Sequence, residues 1–344
     1  MPSLMAREAA EAPARCEEQI ARNAARVTAV AARLRDLSPP FAATLARGSS
    51  DQAAAFAKVL LETRADMPVL SQSPSIGALY RASSSRLRGV PLIAISQSGR
   101  SPDLIAAARD AQAKGALVVA LTNDADSPLA VLADEHICIH AGPERSVAAT
   151  KSLICTLVAL THLAAEWAGD AGLRGAIEKV GDTLRAAAET DWGAAVRLFA
   201  SAESTLVLGR GLTLPIAGEA ALKLKETSNL HAEAFSIAEV AHGPMTLVGA
   251  GDPVLVFGPE DAAREGLAAR IEDFVARGAC VAASGRAQDV AAATMVLPSV
   301  AGVDPVLGAI ARIQSFYGFA EGLARARGCD PDRPPHLAKV TRTL

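Results

Sequence analysis

PLIAISQSGRSPDLIAAARDAQAKGALVVALT, residues 91–122, contains one complete strand–helix–strand unit. Pro91–Ser96 is a short apolar run bounded by turn residues, the pattern of a buried strand. Gln97-Ser98-Gly99-Arg100-Ser101 then reads as a turn. Pro102 stands at a first helical position behind a Ser N-cap and opens a helix that runs to about Lys114. Ala116–Thr122 is a second strand, apolar throughout. Strands without polar alternation, joined by a helix, belong to a parallel sheet covered on both faces. The expected class is α/β, doubly wound, with ligands received at the carboxyl ends of the strands.

The pattern extends outward from this unit. Upstream, residues 5–35 are Ala-rich and charged and read as one or two helices, ended by Pro39-Pro40. Phe41–Ala46 is a short strand, Arg47–Ser50 a turn and Asp51–Glu62 a helix. Downstream, His136–His140 reads as a strand and Val147–Trp167 as a long helix. The chain then repeats itself. Arg210-Gly211 stands 163 residues after Arg47-Gly48, Gly278 stands 163 after Gly115, and Pro253 stands 162 after Pro91. One offset at three landmarks indicates an internal duplication. The expected organisation is an N-terminal helical segment (1–35), a first α/β domain (36–168), a helical linker (169–197), a second α/β domain (198–325) and a C-terminal tail (326–344).

Composition narrows the function classes. The 344 residues are half hydrophobic but only 3% aromatic, so Ala, Val and Leu must do most of the packing. A net charge of −3 with interspersed signs offers no nucleic-acid or membrane surface. The five cysteines are scattered and form no CxxC pair, which suits free thiols in a reducing compartment. The first 30 residues are charged and no run of about 18 apolar residues occurs, so neither a signal peptide nor a span is expected and the location reads as cytoplasmic.

Two stretches carry chemistry. Ser96-Gln97-Ser98-Gly99-Arg100-Ser101, between a buried strand and a helix N-terminus, suits a phosphate cradle, with Ser49 and Ser50 able to complete it. It also fits an ordinary Ser/Gly turn, and it lacks the spacing of a nucleotide P-loop. Glu219–Pro244, EAALKLKETSNLHAEAFSIAEVAHGP, collects acids, lysines and two histidines. On a helix, Glu219, Lys223 and Glu226 share one face, a carboxylate–ammonium arrangement fit for proton transfer. The same spacing also describes a solvated surface pair worth about 0.3–0.5 kcal/mol. His231 and His242 follow in what reads as a loop. His136 and His140 would share a strand face around Cys138, but no third ligand is spaced for a metal. His336-Leu337-Ala338-Lys339 is a polar patch in the tail that composition alone does not single out.

The order SQSG plus a hydroxyl, GRGxxxPIAxEAALKLKE, HAEAF, HGP and LAK resembles the tandem sugar-isomerase (SIS) domains of glucosamine-6-phosphate synthase over nearly the whole chain. Met5–Pro13 is similar to the start of that module. The resemblance implies two duplicated, flavodoxin-like three-layer domains. By that resemblance Glu226 shuttles a proton between C1 and C2, Lys223 lies near it, His242 helps open the sugar ring from the neighbouring subunit, and Lys339 forms a Schiff base with the ketose. Ser50, Ser96, Gln97, Ser98 and Ser101 match the phosphate set, and Val147 and Glu219 join the substrate-binding residues. The implied partners are a sugar phosphate and a second copy of the chain. No cofactor or metal is expected.

Three departures stand out: Arg100 replaces an acidic residue, Ser101 a Thr, and Ala149 a Ser. The chain has no room for a glutaminase domain, so the expected direction is catabolic, glucosamine 6-phosphate to fructose 6-phosphate and ammonia. The alternatives are a deglycase or deaminase of another N-substituted or galacto-configured sugar phosphate, and a non-catalytic sugar-phosphate sensor.

Overall fold

The computed structural model describes residues 2–80 and 85–339. The chain divides into two compact units, one holding residues 12–144, 151–179 and the chain from 338, the other holding residues 1–11, 145–150 and 180–337.

α1 is a single helix, Leu4–Leu37, that continues through Pro13. Proline has no N–H to give the carbonyl four residues back. That carbonyl, on Ala9, instead accepts from Gln314 Nε2 at 3.0 Å. At the start of the helix, Leu4 N and Met5 N both donate to the Asp332 carboxylate at 2.8 Å. A remote carboxylate therefore serves as N-cap, satisfying orphan donors and complementing the helix dipole.

The first sheet contains β1 (Ala42–Leu45), β2 (Val69–Ser71), β3 (Pro91–Ile95), β4 (Leu117–Thr122) and β5 (Glu135–Cys138). All neighbours are parallel, in the order β2-β1-β3-β4-β5. β1, β3 and β4 are buried along their whole lengths, as their apolar runs require. The helices of this unit after α1 are α2 (Ser49–Arg64), α3 (Pro74–Ala78), α4 (Pro102–Ala113), α5 (Pro128–Leu132), α6 (Lys151–Ala168) and α7 (Ala171–Ile177). Leu104, Ala107, Ala108 and Ala111 of α4 pack on Leu92, Ala94, Val118 and Ala120. Alanines let the helix approach the sheet closely, which explains a core so poor in aromatics.

β5 is an edge strand, and α1 covers it. Asn23 donates to the Cys138 carbonyl at 2.7 Å, Arg26 to that of His136 at 3.0 Å, and Gln19 to that of Ile139 at 2.6 Å. Arg26 and Arg33 also flank Glu135. An edge whose carbonyls are taken is closed to further pairing. The five cysteines are free, and Cys16 of α1 meets Cys155 of α6 with their sulfurs 3.8 Å apart.

α8 (Val180–Ala188) and α9 (Val196–Phe199) lead to the second sheet: β6 (Ser204–Gly209), β7 (His231–Ser236), β8 (Pro253–Phe257), β9 (Cys280–Ser284) and β10 (Met295–Leu297). Its order, β10-β9-β8-β6-β7, is that of the first sheet read from the other edge. Register repeats as well. Ala43 pairs with Leu92 as Leu206 pairs with Val254, and Pro91 with Leu117 as Pro253 with Cys280. Gly89 N donates to Gly115 O, and Gly251 N to Gly278 O, both at 2.8 Å. The duplication read from three landmarks therefore holds at the level of individual strand pairs.

α10 (Thr213–Ser228), α11 (Leu267–Ala276), α12 (Ala287–Val290) and α13 (Pro305–Ala326) complete this unit. Half of the chain's few aromatics gather along α13, where Trp192, Phe199, Phe257, Phe316, Tyr317 and Phe319 stack edge-on or tilted.

Several expectations need correction. His231 opens β7 instead of lying in a loop. β5 ends at Cys138, and His140 beyond it has φ 48, so the two histidines do not share a strand face. Residues 147–150 lie outside the helix, which begins at Lys151.

Candidate functional site

The topology places the Ser-rich stretch at a switch point. β1 and β3 are neighbours, and the chain leaves them for helices α2 and α4 respectively. In open α/β sheets the crevice at such a reversal receives ligands. Ser49 and Ser50 form the first turn of α2 behind Gly48, whose φ is 59. Ser96, Gln97 and Ser98 follow β3, and Ser101 stands at the N-cap of α4. The Ser101 hydroxyl makes no capping bond. Ser96 Oγ accepts from Gly99 N at 3.2 Å, and Ser98 Oγ from Arg100 N at 3.3 Å, which folds the stretch into a tight loop.

Gly99 is required here. Its φ is +61, and a Cβ would lie 2.2 Å from Ser127 Oγ. Its carbonyl accepts from Leu129 N at 3.1 Å, and Gln97 O accepts from Asn123 N at 3.0 Å, so the loop is fastened to the segment after β4. Arg47 ties the two helix starts together through a 2.5 Å ion pair with Asp103, a residue buried in the first turn of α4. Burial raises the Asp51 carboxyl above the usual aspartate range against the pull of Arg47. Arg100 turns to Asp124 at 2.7 Å, both exposed. Sequence reasoning missed the Arg47–Asp103 tie, because the partners are 56 residues apart.

α10 confirms the shared face of Glu219, Lys223 and Glu226. Lys223 Nζ lies 3.6 Å from Glu219 Oε1 and also donates to Glu226 Oε2. Glu219 is 0% and Lys223 1% exposed, whereas the Glu226 side chain keeps 21%. The surface-pair reading therefore fails. An ammonium leaves water only when paired, and here it has two carboxylates. Glu226 is held from the buried side by Lys223 and open on the other. Thr227 Oγ1 donates to Lys223 O at 2.8 Å, and Asn229 ends the helix at φ 47.

The remaining predicted residues are placed separately. Val147 is half-buried in a stretch fixed by Glu8, whose carboxylate accepts from Arg145 N at 2.5 Å and Ser146 N at 3.1 Å. His242 is exposed in the short 3-10 turn Glu239–His242. Lys339 donates to Glu144 Oε2 at 2.8 Å. Burial pushes the Glu144 carboxyl up, but the Lys339 ammonium and two hydrogen bonds from Ser152 outweigh it and hold it below the usual range. Nothing in composition signalled the roles of Glu8 or Glu144, since each acts on residues distant in sequence. Among the described residues, no group of three or more His, Cys, Asp or Glu is placed to hold a metal ion. No helix among them is long and apolar enough to cross a membrane.

Paired 2-1-3-4-5 parallel sheets, one with a serine cradle and one with a buried Lys–Glu cluster, define a duplicated α/β module of the phosphosugar-isomerase type. The chain belongs to the SIS domain family, which it matches over residues 42–166 and 198–283. It is 37% identical to the glutamine–fructose-6-phosphate aminotransferase (isomerizing) of Halobacterium salinarum, over 86% of this chain and 50% of that protein. With the Caulobacter vibrioides enzyme of the same name it shares 33% identity over 97% of this chain and 58% of the other. The chain thus spans about half the length of the curated relatives it matches. Among solved structures, a Silicibacter pomeroyi protein provisionally described as a phosphosugar isomerase superposes with a TM-score of 0.90 at 44% identity, covering 96% of this chain and all of that one. The C-terminal domain of the Francisella tularensis glucosamine-fructose-6-phosphate aminotransferase gives 0.86 at 24% identity over 97% and 99% of the two chains, a likeness of fold.

Proposed function

We propose that this chain is an amino-sugar-phosphate isomerase that releases ammonia, converting glucosamine 6-phosphate and water into fructose 6-phosphate and ammonia in a homodimer. The observation that carries the reading is Glu226, a carboxylate fixed by a buried ammonium yet still open on one side. Such a group can take a proton from C2 of an opened sugar and return it to C1. In this reading Ser50, Ser96, Gln97, Ser98 and Ser101 hold the phosphate, with Val147 and Glu219 completing substrate binding. His242 of the partner subunit opens the ring, and Lys339 engages the ketose carbonyl. Proton transfer by Glu226 leaves a ketimine at C2. Water adds to that carbon, the C–N bond breaks, and ammonia leaves.

The names of the relatives support amino-group chemistry linked to fructose 6-phosphate. A glucosamine-6-phosphate deaminase from Thermotoga maritima shares the fold over 99% of this chain and all of its own, with a TM-score of 0.80 at 19% identity. A second reading keeps the same groups and takes a galacto-configured or N-substituted sugar phosphate, since Arg100 and Ala149 depart from the family pattern around the ligand. The test is ammonia release by the purified protein from glucosamine 6-phosphate beside galactosamine 6-phosphate. Fructose 6-phosphate formed in step with ammonia supports the proposal. Binding without ammonia from either sugar overturns it.

A further inference from the structure

A cavity of about 600 Å³ adjoins the open side of Glu226. It is lined by Leu222, Lys225 and Glu226 of α10 and by Pro335-His336-Leu337 of the tail. Asp330 and Cys329 also border it. His336 is exposed and has φ +64, a left-handed conformation uncommon for non-glycine residues but one that histidine adopts more readily than most. The double proline before it restricts the chain on that side.

Hydrolysis of a ketimine needs a group that can take a proton from water and then return one to the departing amine. A lysine ammonium such as that of Lys225 has no lone pair to accept with. A carboxylate is a weaker base than imidazole, and Glu226 is committed to the C1–C2 transfer. Imidazole can do both, and among the described residues of this chain His336 is the imidazole that lines this cavity, the partner's His242 being engaged in ring opening in the reading above.

We propose that His336 is the general base that activates water for release of ammonia, a catalytic residue of this chain in addition to Glu226. The inference rests on the deaminase reading above. The ring nitrogen takes a proton as the water oxygen bonds to C2, and the electron pair of the C=N bond moves to nitrogen. On the protonated ketimine this first step gives a neutral amine. The same proton then passes to it to form –NH3+, the C–N bond breaks with its pair on nitrogen to release ammonia, and the new hydroxyl gives its proton back to the His336 imidazole as the ketone forms.

The test uses His336→Asn, because Asn tolerates a left-handed backbone, with His336→Gln as a second variant. Two rates are read on the full chain: ammonia release from glucosamine 6-phosphate, and exchange of the C1 hydrogen of fructose 6-phosphate in D2O. Exchange needs Glu226 but no amine chemistry. The expected result is a loss of ammonia release of about 10²–10⁴-fold in both variants, with exchange kept within about threefold. If both rates fall together, His336 serves only to hold the tail and the assignment is wrong. If neither falls, it has no role. Absence of ammonia from the unsubstituted protein would instead remove the deaminase reading, and this inference with it.

Discussion

At the scale of single residues, the proposed acid–base centre depends on one buried lysine. Lys223 sits between Glu219 and Glu226, and its removal leaves negative charge inside the unit. Lys223→Met is expected to cost about 3–5 kcal/mol of stability, read as a fall in urea midpoint. Glu226 differs because it keeps an open side. Glu226→Gln retains the shape and a hydrogen-bonding partner for Lys223, so the fold and sugar-phosphate affinity should survive while turnover disappears. Calorimetric binding beside an ammonia assay checks this, and near-normal turnover would remove Glu226 from its role. The spacing of these three residues was legible in the sequence, because a helix places i, i+4 and i+7 on one face. Their burial was not, since the same letters describe an exposed ion pair.

At the scale of elements, two local devices hold the architecture. The cradle loop depends on Gly99, where any Cβ meets Ser127. Gly99→Ala is expected to raise the KM for a sugar phosphate at least tenfold while the Glu226-dependent exchange rate at saturation changes less. The other device lets α1 pass through a proline. Gln314→Met removes the donor for the Ala9 carbonyl, and a buried carbonyl left without one costs about 1–3 kcal/mol, measurable by thermal unfolding. Long elements were legible: α4 and β4 match the expected 102–114 and 116–122 to within a residue. β2 and β10 were not, being three residues each at sheet edges, too short for any periodicity. His231 reads as a loop residue in the sequence because β7 follows the helix end after only Asn229 and Leu230.

At the scale of the whole molecule, the two repeats share topology but not chemistry. Glu260 stands 162 residues after Ser98, and its carboxylate is paired with the buried Arg312. The second switch point thus carries a fixed anion where the first offers hydroxyls, which disfavours a second phosphate there. The Lys339–Glu144 pair anchors the tail and carries its own pH dependence. Glu144 titrates below its unfolded value in the fold, so the pair contributes fully above the usual glutamate range. That contribution is lost as pH falls from about 4.3 through the folded value. The stability gap between the unsubstituted protein and Glu144→Gln should therefore be largest near neutrality and shrink in acid, as urea titrations at several pH values would show. The proposed dimer has its own test. Inactive Glu226→Gln and His242→Asn chains, mixed and allowed to exchange subunits, should recover about a quarter of full activity, because half of the dimers regain one intact site. No recovery would place His242 outside its partner's site.

The sequence by itself determined the α/β class, the duplication, the α10 charge spacing and the serine loop. Each of these follows from local periodicity or from one offset repeated along the chain. Tertiary structure decided which of those groups are buried and what each one meets: Gln314 beneath the break at Pro13, Glu144 against Lys339, Arg47 against Asp103. Such pairings join residues dozens to hundreds of positions apart. They arise from packing that brings elements together, and packing leaves no period in the sequence.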